Sequence, residues 1–368
     1  MSEFHRRRAS QVLEYLKLEN MDALLLFPGA NMAYYTGFQI ELSERLAVAV
    51  IPLIGKPYFV VNELEAELRG QKPWFTETIT WKEHENPIHT LMESLTERRL
   101  DKKRLGIPEE APWGWVNNLR RHLPEAMFVD VSEYLGYVRM VKTEKEIQSI
   151  QKACNITDKA MEEGFDQLHS EMTEKDLQKL MVTGMQERGG ETTFAGVLFG
   201  ERAALPHGSA SEREIKPGEF ILVDMGCTID GYWSDCTRTV MYGEPSDYQK
   251  NVYEIVLKAN KVALKAVSPG VTCESVDVAA RNVINRAGYG EYFIHRLGHG
   301  IGMEIHEHPY LVRNNTQKLE PGMVFSDEPG IYIVDELGVR VEDTVTCTND
   351  GGKYLTHFPR SLQIYPVN

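Results

Sequence analysis

The sequence predicts a two-domain α/β protein, on three observations. The chain has 368 residues, more than one ordinary hydrophobic core organises, so two domains are expected. Its first third alternates short apolar strand runs with amphipathic helical stretches. Near Arg139 a second region opens: Thr143 followed three residues later by Glu146 is a capping-box signature for a helix start, and strands and turns dominate towards the end of the chain. The expected domains are residues 1–138 and 139–368.

In the first domain, residues 6–18 have helical periodicity, with Val12, Leu13, Leu16 and Leu18 set among charges. Residues 23–27 form a continuous apolar run closed by Pro28-Gly29, which predicts a buried strand entering a turn. Residues 46–54 and 57–61 are two further strands meeting at Gly55-Lys56, followed by helices over 88–98 and 115–122 and a strand over 127–131. In the second domain, a long amphipathic helix runs from Thr143 through Met161, and another spans 174–186 with Thr173 as its cap. Strands and hairpins fill 193–241, helices cover 248–267 and 273–287, and further strands close the chain.

Composition narrows the function. A hydrophobic fraction of 42% and a charged fraction of 26% describe a soluble globular protein. The net charge of −14 argues against nucleic acid or an anionic membrane as a partner. The five cysteines are odd in number and form no CxxC pair, so they are read as reduced, partly buried small residues. The first 20 residues carry no apolar signal core, and no apolar run approaches the length of a membrane span. A cytoplasmic enzyme is the expectation.

Five residues of metal-ligand type stand out: Asp224 in LVDMG, Asp235 in SDCTR, His299 in GHGIG, Glu328 in DEPG and Glu342 in RVED. Four carboxylates and one imidazole carry four negative charges, which two divalent cations neutralise; without metal the carboxylates repel one another or bind protons. Asp230-Gly231 is a strong hairpin-turn pair. If it closes the hairpin, residues whose numbers sum to 461 face each other, Asp235 opposes Gly226, and the two aspartates become diagonal neighbours on one face. Glycines on both sides of His299 allow close backbone approach at a packed centre, and His306, seven residues on, can reach the same cavity. Arg340 and Glu342 share a face by period-two alternation, with Asp343 opposite, so Arg340 is expected to hold a ligand carboxylate or a substrate carbonyl. Oxygen-rich coordination with one histidine favours Mn²⁺, with Co²⁺ or Zn²⁺ as alternatives. Two metals imply hydrolysis. Glu328 is the expected proton carrier, and His207 and His306 are candidates to stabilise an oxyanion.

Together the motifs ALPHG, LVDMG, SDCTRT, GHGIGMEIHE, SDEPGIY and GVRVED resemble the pita-bread metallopeptidases, the family of methionine aminopeptidase, aminopeptidase P and prolidase. The resemblance runs from about Lys142 to the end. It implies an α+β catalytic domain built on a pseudo-twofold antiparallel sheet, a two-metal ligand set of Asp224, Asp235, His299, Glu328 and Glu342, and substrate-handling roles for His207, His306 and Arg340. The segment NMAYYTGF at residues 31–38 resembles the N-terminal α/β domain of the creatinase/prolidase branch, which in that family helps form homodimers and walls the substrate pocket.

The implied chemistry is hydrolysis of the bond preceding proline in short peptides, a tertiary amide with no N–H. Dipeptidase activity is the primary expectation and Xaa-Pro aminopeptidase the alternative. A small-molecule hydrolase or lyase, or a non-catalytic binding protein, would use the same scaffold. One departure bears on the choice: some prolidases carry an arginine directly after His-Glu-x-Pro, where this chain has Tyr310, with Arg313 the nearest arginine downstream.

Overall fold

A computed structural model gives the fold and describes residues 2–206 and 208–368. The chain divides into two compact units, residues 1–138 and 139–368.

The first unit is a six-stranded mixed sheet with strands in the order Thr78–Trp81, Tyr58–Asn62, Val48–Pro52, Ala23–Leu26, Arg104–Ile107 and Met127–Asp130. Its three most apolar strands, Ala23–Leu26, Val48–Pro52 and Tyr58–Asn62, are buried at every position, which is why they read as continuous apolar runs rather than alternating ones. The run expected over 46–54 pairs only as Val48–Pro52, because the chain turns beyond Pro52 towards Gly55, which has a φ of 120°. Helix Ala30–Thr36 ends on Gly37 in the left-handed conformation, the C-terminal stop that glycine permits.

The second unit repeats one plan twice. Helices Glu144–Phe165 and Glu174–Glu187 lead into the strands Thr193–Phe199, Glu219–Ile229 and Cys236–Tyr242. Helices Asp247–Ala266 and Cys273–Arg286 then lead into the antiparallel strands Gly298–Gly300, Glu307–Leu311, Val324–Asp327, Asp343–Thr348 and Gly351–Tyr354, with a separate hairpin, Gly330–Ile333 and Leu337–Arg340. Both Thr143 and Thr173 complete capping boxes, with Glu146 and Asp176 respectively. Each helix pair buries an apolar stripe on one face of its own strands. Ala153, Met161, Leu177 and Met181 pack with Val197, Val223 and Val240; Val252, Val256, Ala280 and Ile284 pack with Phe325, Val339 and Val345. Because strand side chains alternate, the faces turned away from the helices are free to carry polar groups. Among the described residues no helix is long and apolar enough to cross a membrane.

One glycine is needed for this arrangement. A Cβ at Gly226 would overlap the Ser234 carbonyl oxygen and lie 2.7 Å from Phe194 Cε1. Gly226→Ala is expected to cost about 1–3 kcal/mol of stability through overpacking, read as a lowered thermal midpoint. A variant as stable as the parent would mean that the hairpin does not cross so closely at this point.

Candidate active site

The strand Glu219–Ile229 sends Ile221, Val223, Met225 and Cys227 into the helix-covered core and turns Asp224 to the opposite face. Asp230 and Gly231 both have positive φ, 53° and 77°, as a tight hairpin turn requires. The returning chain pairs Thr228 with Trp233, Met225 with Cys236 and Asp224 with Thr237, the register in which residue numbers sum to 461. Between these pairs the ladder opens at Asp235. Its backbone N–H donates to Thr344 Oγ1 (3.2 Å), and that hydroxyl donates back to the Asp235 carbonyl (2.8 Å). Asp235 is thereby fixed to the strand Asp343–Thr348 of the second sheet.

His299 occupies the middle of Gly298–Gly300. Side chains at its two flanking glycines would run into the carbonyl oxygens of Ser326 and His308. The His299 backbone N–H donates to Ser326 Oγ (3.0 Å), and Ser326 Oγ donates to Glu328 Oε1 (3.0 Å). His299 Nδ1 donates to the Gly300 carbonyl at 3.1 Å, which leaves Nε2 with a free lone pair. That atom lies 3.5 Å from Asp235 Oδ2 and 3.4 Å from Glu328 Oε1. Burial, with a smaller contribution from His306, lowers the imidazole to about 3, so these contacts join lone-pair donors rather than ions of opposite charge.

Arg340 and Glu342 follow each other round the end of the hairpin. Arg340 Nη2 donates to Asp224 Oδ2 (2.6 Å), Nη1 to Tyr332 Oη (3.1 Å) and Nε to Thr237 Oγ1 (2.8 Å). Thr237 Oγ1 in turn donates to Glu342 Oε2 (2.5 Å). Tyr332 Oη donates to His295 Nε2 (2.9 Å). One guanidinium thus ties Asp224, Thr237 and Tyr332 together.

Asp235 and Glu342 are pushed well above the ordinary carboxylate range, first by burial and then by neighbouring carboxylates. Burial raises Glu328 to about 7 although the Arg340 charge opposes it. Asp224 Oδ1 is buried with no hydrogen-bond partner among the described residues. Ligand atoms of Asp235, His299 and Glu342 all lie within 4.8 Å of one another. A set of buried acceptors facing one gap, with a neutral imidazole lone pair aimed into it, must hold either protons or cations. The donor set of oxygens and one nitrogen fits hard to borderline divalent metals.

These groups line a cavity of about 730 Å³. It brings together Asp224, Asp235, His299, His306, Glu328, Arg340 and Glu342. The His306 ring meets the His299 ring edge-on at 4.2 Å. His207 lies outside the described residues; its neighbour Pro206 lines the cavity. Arg313 is exposed and is not among the cavity-lining residues. The cavity also contains groups not singled out from sequence: Phe194, Ile294, His295, Arg296 and Ile305. Thr237, Tyr332 and Ser326 support it from behind. Each of the last three sits inside a motif already noted (SDCTRT, SDEPGIY), two or four residues from a candidate ligand. Their hydroxyls could have been marked as orienting groups on that spacing.

The family model for metallopeptidase family M24 matches residues 148–349, and the creatinase/prolidase N-terminal domain model matches residues 8–141. An Xaa-Pro dipeptidase from Lactobacillus helveticus is 36% identical over 362 residues, covering 96% of this chain and 98% of that protein. The crystal structure of a recombinant prolidase from Thermococcus sibiricus superposes with a TM-score of 0.93 at 32% identity, covering 98% of this chain and 99% of the other. An X-Pro aminopeptidase from Thermotoga maritima superposes at 0.86 with 31% identity, covering 97% and 99%. The fold, with its creatinase/prolidase N-terminal domain and two-half catalytic domain, is the one the motifs imply, and the chain belongs to metallopeptidase family M24.

Proposed function

We propose that this enzyme hydrolyses the peptide bond preceding proline in Xaa-Pro dipeptides, using two divalent cations held by Asp224, Asp235, His299, Glu328 and Glu342. The observation that carries the reading is the enclosed group of acceptors around the His299 Nε2 lone pair. The named activities of the Lactobacillus helveticus and Thermococcus sibiricus relatives support the choice of substrate. Mn²⁺ suits the oxygen-rich set best, with Co²⁺ or Zn²⁺ as alternatives. Five cysteines without disulfides fit a reducing, cytoplasmic compartment. A homodimer is the assembly the family resemblance implies.

Bound cations supply Lewis-acid polarisation of a scissile carbonyl and acidification of a water. The side chains do the rest. Glu328 moves the proton: it lines the cavity with Oε1 3.4 Å from His299 Nε2, beside the place where the attacking water would stand, and a carboxyl group there can both take and return a proton. It takes a proton from the attacking water and returns it to the proline nitrogen, an amine once the bond breaks. His306, packed against His299, presents its ring to the cavity as a donor to the developing oxyanion. His207 is proposed for the same task. Arg340 holds Asp224 in place through its 2.6 Å contact, with its other nitrogens on Tyr332 and Thr237. Aminopeptidase activity on longer peptides is the second reading, favoured by the likeness to the Thermotoga maritima enzyme and by Ile294, 66% exposed on the cavity wall.

The direct test is an assay of the Mn²⁺-reconstituted protein on Ala-Pro and on Ala-Pro-Ala-Ala, following release of alanine. Cleavage of the dipeptide in preference to the longer peptide is expected; the reverse preference would make it an aminopeptidase, and cleavage of neither would sink both readings.

Asp235→Asn is expected to lose bound metal and activity together, while the metal-free variant is at least as stable as the metal-free parent. Neutralising one buried carboxylate among several relieves repulsion even as it removes a ligand. Metal analysis alongside thermal melts checks both halves.

Cation binding also has to displace protons. At about pH 6, titrating Mn²⁺ into the metal-free protein is expected to release more than one proton per chain, with apparent affinity rising with pH. The release shrinks as pH passes about 7, where Glu328 gives up its own proton. Calorimetry in buffers of different ionisation heat measures it, and proton-neutral binding would contradict the carboxylate assignment.

A further inference from the structure

A dipeptide is a zwitterion, and the cavity so far accounts for only one of its ends. The acidic group and the cations it is proposed to hold deal with the amino end and the scissile bond; the free carboxylate, once taken out of water, needs a cation of its own on the wall. Arg340 cannot serve, because its nitrogens are already engaged by Asp224, Tyr332 and Thr237. Arg313, the arginine downstream of Tyr310, is exposed and away from the cavity lining.

Arg296 is different. It lines the cavity and is half-buried, and among the described residues no carboxylate pairs with its guanidinium and no hydrogen bond leaves it. Instead, its Cζ lies 4.3 Å from the centroid of the Tyr310 ring. Tyr310 is the cross-strand partner of His299, and Arg296 lies three residues before His299 in the irregular segment that leads into Gly298–Gly300, so both are tied to the part of the chain that carries the imidazole. A guanidinium laid over an aromatic ring is held by its face and keeps its N–H edges free for a planar acceptor. Such an unpaired fork beside an acidic cluster matches a carboxylate bidentately. The charged ends of a dipeptide are about 7 Å apart when extended, so recognition at both ends is feasible within a cavity of this size.

We propose that Arg296, held on the Tyr310 ring, recognises the free C-terminal carboxylate of the substrate and makes the enzyme a dipeptidase. The position where some prolidases place an arginine is here occupied by the ring that supports one. This inference rests on the proposed Xaa-Pro activity.

The test compares Ala-Pro with Ala-Pro-amide, which keeps the scissile bond and the amino group but removes the negative charge. The metal-loaded parent, Arg296→Ala, Arg296→Lys and Tyr310→Ala are assayed on both. The parent is expected to favour Ala-Pro. Arg296→Ala is expected to raise KM for Ala-Pro about 30-fold or more, the loss typical when one partner of a charged pair is removed. On the amide, its KM should stay within about twofold of the parent's, because that substrate never had the interaction. Arg296→Lys should recover part of the Ala-Pro KM, and Tyr310→Ala should raise it in the same direction by less. The amide doubles as a folding control, since a misfolded variant fails on both substrates. Equal KM changes on the two substrates, or none on either, would overturn the role of Arg296 while leaving the Xaa-Pro activity standing. A parent that cleaves neither would instead overturn the activity, and the inference with it.

Discussion

The arrangement depends on keeping Asp224, Asp235, Glu328 and Glu342 together in a cavity that buries most of them. Charges so placed repel strongly in a medium less polar than water, and burial by itself already drives Asp235 and Glu342 towards their protonated forms. The protein offsets only part of this. Arg340 contributes one positive charge, shared between Asp224 at 2.6 Å and Glu342 at 3.4 Å, and Thr237 and Ser326 donate hydroxyl hydrogens to Glu342 and Glu328. The remainder is left to whatever cations or protons fill the gap. A site of this kind is conditionally stable: it gains free energy on loading metal because the empty state is unfavourable.

Conditional stability demands a rigid surround, and the second layer is built for it. Asp343 sits immediately after Glu342 but points the other way, where it accepts from Arg238 Nη2 (2.7 Å), Arg360 Nε (2.8 Å), Thr356 Oγ1 (2.7 Å) and Asn260 Nδ2 (3.2 Å). Burial alone would raise this carboxyl, yet Arg238 and Arg360 outweigh it and hold the group below its ordinary value. Arg238 also donates to the backbone carbonyls of Thr237, Glu342 and Phe358. Two adjacent acidic residues on one chain therefore have opposite fates. Asp343 is paired with two guanidiniums and anchors the strand; Glu342 has only the longer Arg340 contact, 3.4 Å, and faces the cavity. The period-two geometry of an extended chain makes that division possible.

How much of this was legible in the sequence follows from the same geometry. The 461 register came from one turn pair and a strand period, both local, and the structure pairs Asp224 with Thr237 in that register. The capping boxes at Thr143 and Thr173 were legible for the same reason. Strand ends were less so: the run over 46–54 shortened to Val48–Pro52 because pairing, rather than hydrophobicity, decides where a strand stops. The supporting residues were the hardest to see. Thr237 reaches Glu342 105 residues away, Tyr332 reaches Arg340 8 residues away, and Ser326 reaches His299 and Glu328, 27 and 2 residues away; spacing marks these hydroxyls as candidates, and only the fold decides which way each faces. Arg296 was invisible for a related reason. Its significance is the absence of a partner, and a lone arginine in a sequence gives no sign of whether it is paired.

The placement of specificity differs from that of chemistry. The acidic residues, the imidazole and Arg340 lie on or beside strands of the two larger sheets of the second unit and the separate hairpin, all backed by helix-covered apolar clusters, so none can shift without disturbing a core. Phe194, Ile294, Arg296 and Ile305 line the same cavity, and of these Ile294 and Arg296 belong to the irregular segment before Gly298–Gly300. Changes there leave the acidic group untouched. This accounts for solved structures named as a dipeptidase, a prolidase and an aminopeptidase superposing on one chain with little to separate them: overall similarity reports the shared scaffold, and the distinction between substrates lies in a few wall residues. Among the described residues, Arg296 is a lining cation with no carboxylate partner. In the role proposed for it, it favours a substrate short enough to bear its free carboxylate within the cavity. A longer peptide has a neutral amide where the dipeptide has its carboxylate, and so would leave the guanidinium desolvated without a partner, a penalty that selects against it even where it fits.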